Sequence, residues 1–383
     1  MSEFKEIKWE TKHGKTINRY TVDDPIFGKL NYHTPFKPYT PEEINFVCKR
    51  PFTSCEVSYK GEVIICCHDW LPLSIGNVLT NTMQEIWSGE KAEALRNSIT
   101  DGSYRYCNNQ TCLYLISKDG ELIDKSEFQN PNNSLPTTVL FSVDESCNLY
   151  CPSCRTEKIG QLEGEHRNTA LEIVRNTIRQ LCNKPHNNSI LIGFDGRGEV
   201  FNSQVYKEIF ETEFLFSNLD LWPNIRFRIL TNGVMMTEKI QTRHAKIFNR
   251  IEGISVSIDA GNEESYNKVR LGGNWSLLWK NLDYLYTTQK HRPVSSFDWA
   301  WQVVLQADNY ESIPELIQLA YNYPERLPLI VISPILNWGT FSPEVFLEKT
   351  VMNKESEKYK RLKQILSTPL VKNYPRLLAP KLD

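Results

Sequence analysis

From about residue 136 onward, short apolar runs alternate with longer stretches whose apolar residues recur at helical spacing. Residues 137–143, 189–194, 225–230, 254–258, 300–305 and 329–332 are short and rich in β-branched and aromatic side chains, which predicts strands. After the first of these, Leu171, Val174, Ile178 and Leu181 fall at i, i+3, i+7 and i+10 and predict a helix over 168–183. Further helices are predicted over 277–286 and from Ser312-Ile313-Pro314-Glu315, whose capping-box spacing marks a start. Strands separated by helices imply βαβ units and a mainly parallel sheet. Six such units over residues 136–340 predict an α/β fold of the partial (β/α)6 barrel kind, short of the eight units of a closed barrel. In such sheets ligands bind at the carboxyl ends of the strands.

Upstream the texture differs. Residues 1–47 are polar, aromatic and turn-rich, with Asp24-Pro25, Thr34-Pro35, Lys37-Pro38 and Thr40-Pro41, and predict an irregular arm. In the next segment, 48–115, residues 56–65 predict a hairpin turning at Lys60-Gly61. Thr82-Met83-Gln84-Glu85 opens a helix through Trp87 and Leu95. Residues 116–135, charged and rich in Asn and Pro, predict a linker. Residues 341–383 predict a helical, charged tail with prolines near its end.

Composition narrows the class. Of 383 residues, 40% are hydrophobic and 23% charged, enough apolar content for packed cores. A formal net charge of −2 gives no chain-wide attraction for nucleic acid or an anionic membrane. No apolar run reaches the roughly 18 residues of a membrane span, and the first residues lack the apolar stretch of a secretory signal. The expectation is a cytoplasmic protein with neither a nucleic-acid nor a membrane partner. In that reducing compartment the ten cysteines are not expected to form disulfides. Nine fall into two groups: Cys48, Cys55, Cys66, Cys67, Cys107 and Cys112, then Cys147, Cys151 and Cys154. Such clustering points to metal or redox chemistry. The tenth, Cys182, shares the stripe of Leu171 and Val174 and is expected to be core.

The tighter group is spaced C-x3-C-x2-C directly after the first predicted strand. Three thiolates this close can share a metal centre. A structural zinc site normally takes four protein ligands, and a remote residue would have to complete it. A cubane iron–sulfur cluster has four iron corners, so three thiolates leave one open for an outside ligand. Cys147-Asn148-Leu149-Tyr150-Cys151-Pro152-Ser153-Cys154 resembles the signature of the radical S-adenosylmethionine (SAM) superfamily. The resemblance implies a [4Fe–4S] cluster that binds SAM through its open iron. It also implies cleavage of SAM to a 5′-deoxyadenosyl radical that takes a hydrogen atom from a substrate.

Four more motifs over residues 136–340 carry the same resemblance. Asp195-Gly196-Arg197-Gly198-Glu199-Val200 is similar to the family's Gly-Gly-Glu-Pro turn. Gly196, Gly198 and Glu199 are thereby implied at the SAM ammonium, with Arg197 and Val200 departing from the usual form. Thr231-Asn232-Gly233 matches a common structural turn. Ser255-Val256-Ser257-Ile258-Asp259-Ala260 resembles the fourth-strand motif and implies Ser257 and Asp259 as SAM contacts. The loop from Tyr266 to Gly273 implies Arg270 as partner of the SAM carboxylate, which a guanidinium fork suits. Gln306 and Asn309 are weaker pocket candidates. Ser153 stands where many members have an aromatic residue near adenine.

In the looser group, Gly61-Glu62-Val63-Ile64-Ile65-Cys66 is a G-x4-C pattern, and Cys107 and Cys112 form C-x4-C. With Ile75-Gly76-Asn77 and Glu85-Ile86-Trp87, the stretch resembles a SPASM or shortened twitch domain, here ahead of the barrel instead of behind it. The resemblance implies one auxiliary [4Fe–4S] cluster on Cys48, Cys66, Cys107 and Cys112. Cys55 and Cys67 are alternates, and a four-cysteine zinc site is the rival reading. His68 is a candidate donor to that centre.

These resemblances imply a peptide-modifying enzyme acting on a ribosomally made precursor by crosslinking, epimerisation or backbone excision. They also imply a flavodoxin or ferredoxin as electron donor and a separate leader-binding protein. The alternatives are a sugar or aminocyclitol dehydrogenase or epimerase, and a non-catalytic iron–sulfur scaffold or redox sensor. No proton or hydrogen donor is named. Trp301 and Trp338, near strand ends, are candidates for the substrate pocket.

Overall fold

Strict alternation at the start of the chain, as in Ile7-Lys8-Trp9-Glu10, suits a strand with one face turned inward. In the structure, a computed structural model, this segment is indeed a strand. The structure describes residues 4–10, 16–32, 34–66, 71, 73–118, 120–131, 135–182, 189–194, 197–216, 219–380 and 382. These residues divide into two units, one of Met1–Val143 and Gly164–Gly193, the other of Asp144–Glu163 and Phe194–Asp383.

The first unit opens on an antiparallel sheet, β1 (Lys5–Glu10), β2 (Thr16–Asp24) and β3 (Gly28–Tyr32). This corrects the irregular arm expected of residues 1–47. Pro25 falls in the turn between β2 and β3, and the other prolines follow β3, so none interrupts a ladder. β4 (Phe46–Cys48) then pairs antiparallel with β8 (Leu122–Asp124), placing Cys48 opposite Leu122. Part of the expected linker is therefore a strand that returns to the first cysteine. The predicted hairpin is β5 (Ser54–Ser58) against β6 (Glu62–Ile64), turning at Gly61 with φ +77. β7 (Ser74–Asn77) extends it, and β5 pairs parallel with β9 (Thr138–Ser142), which is followed by β10 (Ile190–Phe194). Thr82 and Glu85 make the predicted capping box at the helix Met83–Trp87. The predicted helix after β9 spans Gly164–Cys182 and buries Leu171, Val174, Ile178 and Leu181. Cys182 closes it half-buried, and burial pushes its thiol up to about 12.

The second unit is built on β11 (Ile225–Thr231), β12 (Ile251–Ser257), β13 (Asp298–Leu305), β14 (Leu329–Pro334) and β15 (Leu377–Leu378), all parallel in that order. With β9 and β10, all six predicted strands of the α/β series are present. β15 adds a strand that the charged tail gave no reason to predict. β13 alternates strictly, burying Trp299, Trp301, Val303 and Leu305. Trp301 packs edge-on against Trp279, Trp299 and Tyr323, so it is core and does not reach a ligand pocket.

Ser312 does not cap the helix Ile313–Ala320 as its spacing suggests. Its hydroxyl donates to Asn309 O (2.8 Å) and accepts from Gly261 N–H (3.0 Å). That bond draws the loop after β12 onto the helix start. A Cβ on Gly261 would stand 2.1 Å from Ser312 O and 2.3 Å from Leu316 N, both backbone atoms that cannot rotate away. Gly261→Ala is therefore expected to destabilise the protein by about 2–4 kcal/mol. Thermal unfolding followed by circular dichroism checks this, and an unchanged midpoint would refute the contact.

Candidate active site

The loop after Val143 carries the three clustered cysteines, and its fold follows from one buried carboxylate. Asp144 accepts Ser146 N–H at 2.8 Å and Ser203 Oγ–H at 2.5 Å. Cys154 N–H and Arg155 N–H both bond Cys151 O, winding the second and third cysteines into a tight turn. Cys147 and Cys151 are buried, whereas Cys154 is exposed. All three line one cavity of about 350 Å³ together with Gly198, Glu199, Thr231, Asn232, Ser257, Asp259 and Arg270. The ends of β11, β12 and β13 and the loops after them thus converge on the cysteines, the expected place for a ligand on a parallel sheet.

Each cysteine sulfur has a donor. Asn232 Nδ2 lies 3.8 Å and Leu149 N 3.4 Å from Cys147 Sγ. Arg270 Nη1 lies 3.7 Å from Cys151 Sγ and Arg155 Nη2 3.5 Å from Cys154 Sγ. Burial pushes the Cys147 and Cys151 thiols up, while the Leu149 N–H and Arg155 on the first and Arg270 on the second pull the other way. Ligation to metal removes these protons. Among the described residues no group of three His, Cys, Asp or Glu side chains is arranged to hold a single metal ion. A four-iron cubane makes a different demand, one thiolate per corner, and three thiolates with hydrogen-bond donors around one cavity fit it.

Gly198 shows how closely the loop is drawn in. A Cβ there would lie 2.4 Å from Asp144 O and 2.7 Å from Ser146 O. Glu199 follows, buried, its N–H bonded to Ser146 O at 2.8 Å. Its carboxylate accepts Thr231 Oγ–H and Asn232 N–H, each at 2.6 Å, and Phe201 N–H at 3.3 Å. Burial raises this carboxyl, and the three donors and Arg270 oppose the rise. Glu199 therefore ties the loop after β10 to the end of β11. Gly196 lies outside the described residues.

Asp259 sits just past β12 at φ +64, a left-handed position Asp tolerates. One carboxylate oxygen accepts Val304 N–H at 2.7 Å. The other stands 2.7 Å from Arg270 Nε, an ion pair that lies off the N–H axis. Burial raises the Asp259 carboxyl, with Arg270 and Val304 N–H opposing. Arg270 remains protonated, held so by Asp259 and Cys151 against its own burial. Asn309 donates to Asp259 O at 2.7 Å and so braces this turn. Neither it nor Gln306 lines the cavity. Leu149, Leu230, Val304, Leu336 and Trp338 form its apolar wall. Trp338 is the aromatic member, on a turn where Asn337 Oδ1 accepts Gly339 N–H.

Sequence reasoning missed Arg155, Arg197 and the role of Asn232. Asn232 was legible only as part of a turn, and no spacing rule distinguishes an arginine beside a cysteine from a surface one.

In the first unit the structure brings Cys48, Cys66, Cys107 and Cys112 together. Cys48 is within electrostatic reach of Cys66 and Cys112, and Cys107 of the other three. Burial is the main force raising the Cys48, Cys107 and Cys112 thiols. Tyr104 Oη accepts Cys48 N–H at 3.0 Å and fixes the end of β4. Arg50, within 3.8 Å of Glu121, also faces Cys48 and Cys66. Cys55 is placed apart, opposite Val139 in the sheet, its charged neighbours being Glu56, Arg50 and Arg96. Cys67 and His68 lie outside the described residues.

Residues 48–113 match the family model SPASM, described as an iron–sulfur cluster-binding domain. No curated protein matches the sequence. Among solved structures the chain is similar to native anSMEcpe with bound AdoMet, at 16% identity and a TM-score of 0.38, over 52% of this chain and 51% of that one. It is similar to Streptococcus suis SuiB bound to S-adenosylmethionine, at 14% identity and a TM-score of 0.40, over 65% and 51%. A radical SAM methyltransferase from Sphaerobacter thermophilus matches at 14% identity and a TM-score of 0.36, over 61% and 63%. The chain spans about half the length of the first two. At such TM-scores these likenesses carry no argument about activity.

Proposed function

Taking the chain as a radical SAM protein with a SPASM domain ahead of its barrel, we propose that it cleaves SAM reductively to modify a ribosomally made precursor peptide. One observation carries this reading: Cys147, Cys151 and Cys154 line the same cavity as Glu199, Ser257 and the Asp259–Arg270 pair. A [4Fe–4S] cluster on the three thiolates would supply an open iron for SAM and one electron to its sulfonium, breaking the 5′-carbon–sulfur bond to give methionine and a 5′-deoxyadenosyl radical.

The chain's own residues supply position and charge. Asn232, Arg155 and Arg270 orient and hydrogen-bond the thiolates. Gly198, with no Cβ, lets its loop pack against the backbone of Asp144 and Ser146 at the start of the cysteine loop, and Glu199 offers negative charge to the SAM ammonium. Arg270, steadied by Asp259, offers a guanidinium to the SAM carboxylate. The apolar wall keeps water from the radical, and the mouth, with Arg197, Leu336 and Trp338 about half exposed, is suited to a peptide of mixed polarity.

Cys48, Cys66, Cys107 and Cys112 would hold the auxiliary cluster, which would take up the electron left on the substrate after hydrogen abstraction. A flavodoxin or ferredoxin would supply the reducing electron, and a separate protein would present the leader. A cytoplasmic location belongs to the same proposal; among the described residues no helix is long and apolar enough to cross a membrane.

The test is anaerobic reconstitution with reductant, SAM and a peptide encoded beside this gene, followed by chromatography for 5′-deoxyadenosine and mass spectrometry of the peptide. Deoxyadenosine with a peptide mass change is expected. The Cys48→Ser/Cys112→Ser variant is expected to keep deoxyadenosine formation and lose at least about tenfold in peptide product. A fully iron-loaded wild type that makes no deoxyadenosine would remove the radical reading. Deoxyadenosine formation that responds only to a sugar or aminocyclitol would move the substrate to that class.

A further inference from the structure

Three side chains reach the cysteine sulfurs, but they are not electrically alike. Asn232 is neutral. Arg270 carries a full charge, and Asp259 cancels it from 2.7 Å. Arg155 differs from both. Its Nη1 donates to Glu145 O at 3.1 Å, and its Nη2 to Arg197 O at 2.7 Å and to Cys154 Sγ at 3.5 Å. These acceptors are two carbonyls and one sulfur, and among the described residues Arg155 forms no ion pair with a carboxylate. The nearby Glu145 side chain is engaged by Arg197 at 3.4 Å. The Arg155 charge is also felt at Cys147 and Cys151. The two carbonyls hold the fork in a fixed direction, so this cation is built into the loop and does not swing freely over the surface.

We propose that Arg155 sets the reduction potential of the cluster on Cys147, Cys151 and Cys154, acting as a cation without a carboxylate partner among the described residues and as a hydrogen-bond donor to Cys154. This rests on the radical SAM reading above. A reduced cluster holds one electron more than an oxidised one, so a fixed positive charge and a donor to sulfur stabilise the reduced form more. Reduction consumes one external electron, supplied in the cell by the flavodoxin-class donor and in the test by dithionite. Cys154 is the exposed member of the three, so water competes for its sulfur and the effect is bounded. Arg155 is here a positioning residue: it acts through the thiolate and not on the substrate.

The test is a dithionite titration of reconstituted wild type, R155M and R155K, each followed by low-temperature EPR. The signal scored is the one whose shape changes when SAM is added, which separates it from the auxiliary cluster. Iron per chain is measured in parallel. R155M removes charge and donor and is expected to lower the reduced-to-oxidised ratio at fixed potential by roughly three- to tenfold, tenfold being 59 mV for one electron. R155K keeps the charge but not the fork and is expected to fall between. Midpoints of R155M and wild type that coincide overturn the inference while leaving the function standing. Should R155M fail to assemble its cluster, R155K decides: a midpoint below wild type supports the proposal, and one equal to wild type overturns it. A wild type that builds no SAM-responsive cluster overturns the functional reading and this inference together.

Discussion

Replacing Cys147, Cys151 and Cys154 together by alanine is expected to reduce 5′-deoxyadenosine formation to background, with iron falling by about four atoms per chain. The reasoning runs through the donor set. Among the described residues no other cysteine lines the cavity, so no further thiolate there replaces the three. Folding should survive. Cys147 and Cys151 are small buried groups, and removing one sulfur costs about 1 kcal/mol each, while Cys154 is exposed and costs less. Cys48, Cys66, Cys107 and Cys112 belong to the other unit and should keep their own iron. Three readouts therefore separate the explanations. Lost deoxyadenosine with retained circular dichroism and residual iron supports two separate centres. Complete loss of iron would mean that the SPASM segment holds none. Deoxyadenosine at wild-type level would remove the three-cysteine site from the chemistry.

Much of this site is legible in the sequence. Cysteine spacing and the alternation of strands with helices are local, repeated signals, and both point to the carboxyl edge of one sheet. The structure then shows how the pieces meet: Glu199 reaches the end of β11 through Thr231 and Asn232, and Asp259 holds Arg270. What stayed hidden depended on partners distant in sequence. Leu122–Asp124 is only three residues long and becomes a strand because Phe46–Cys48 lies beside it. β15 is two residues long and exists through its pairing with Ile330 and Val331. Trp301 and Trp338 read alike in sequence, each near a strand end. The strict alternation of β13 turns Trp301 into a core of other aromatics, whereas Trp338 stands on a turn beyond β14, at the cavity wall. The N-terminal sheet was the opposite case. Its alternation was visible, and the weight placed on nearby prolines concealed it.

The Asp259–Arg270 pair gives the second large effect. Asp259→Ala leaves the Arg270 guanidinium, only 13% exposed, without its carboxylate. It also leaves Val304 N–H without its acceptor and puts alanine at φ +64. Breaking a buried pair from one side costs about 3–5 kcal/mol. Alanine in the left-handed region adds about 1 kcal/mol more. For a unit of this size, a total of about 4–6 kcal/mol lowers the unfolding midpoint by about 8–24 °C. Asp259→Asn separates the causes: it keeps an acceptor for Val304 and tolerates the left-handed backbone, but removes the charge. Its midpoint should fall between wild type and alanine. In both variants Arg270 loses the contact that directs Nη1 toward Cys151, so SAM should bind at least about tenfold more weakly even well below the unfolding temperature. Calorimetric unfolding and SAM titration of the reconstituted protein test the two effects separately. An alanine variant as stable as wild type would show that Arg270 is not confined by Asp259. Unchanged SAM affinity in a destabilised variant would restrict the pair to a structural role.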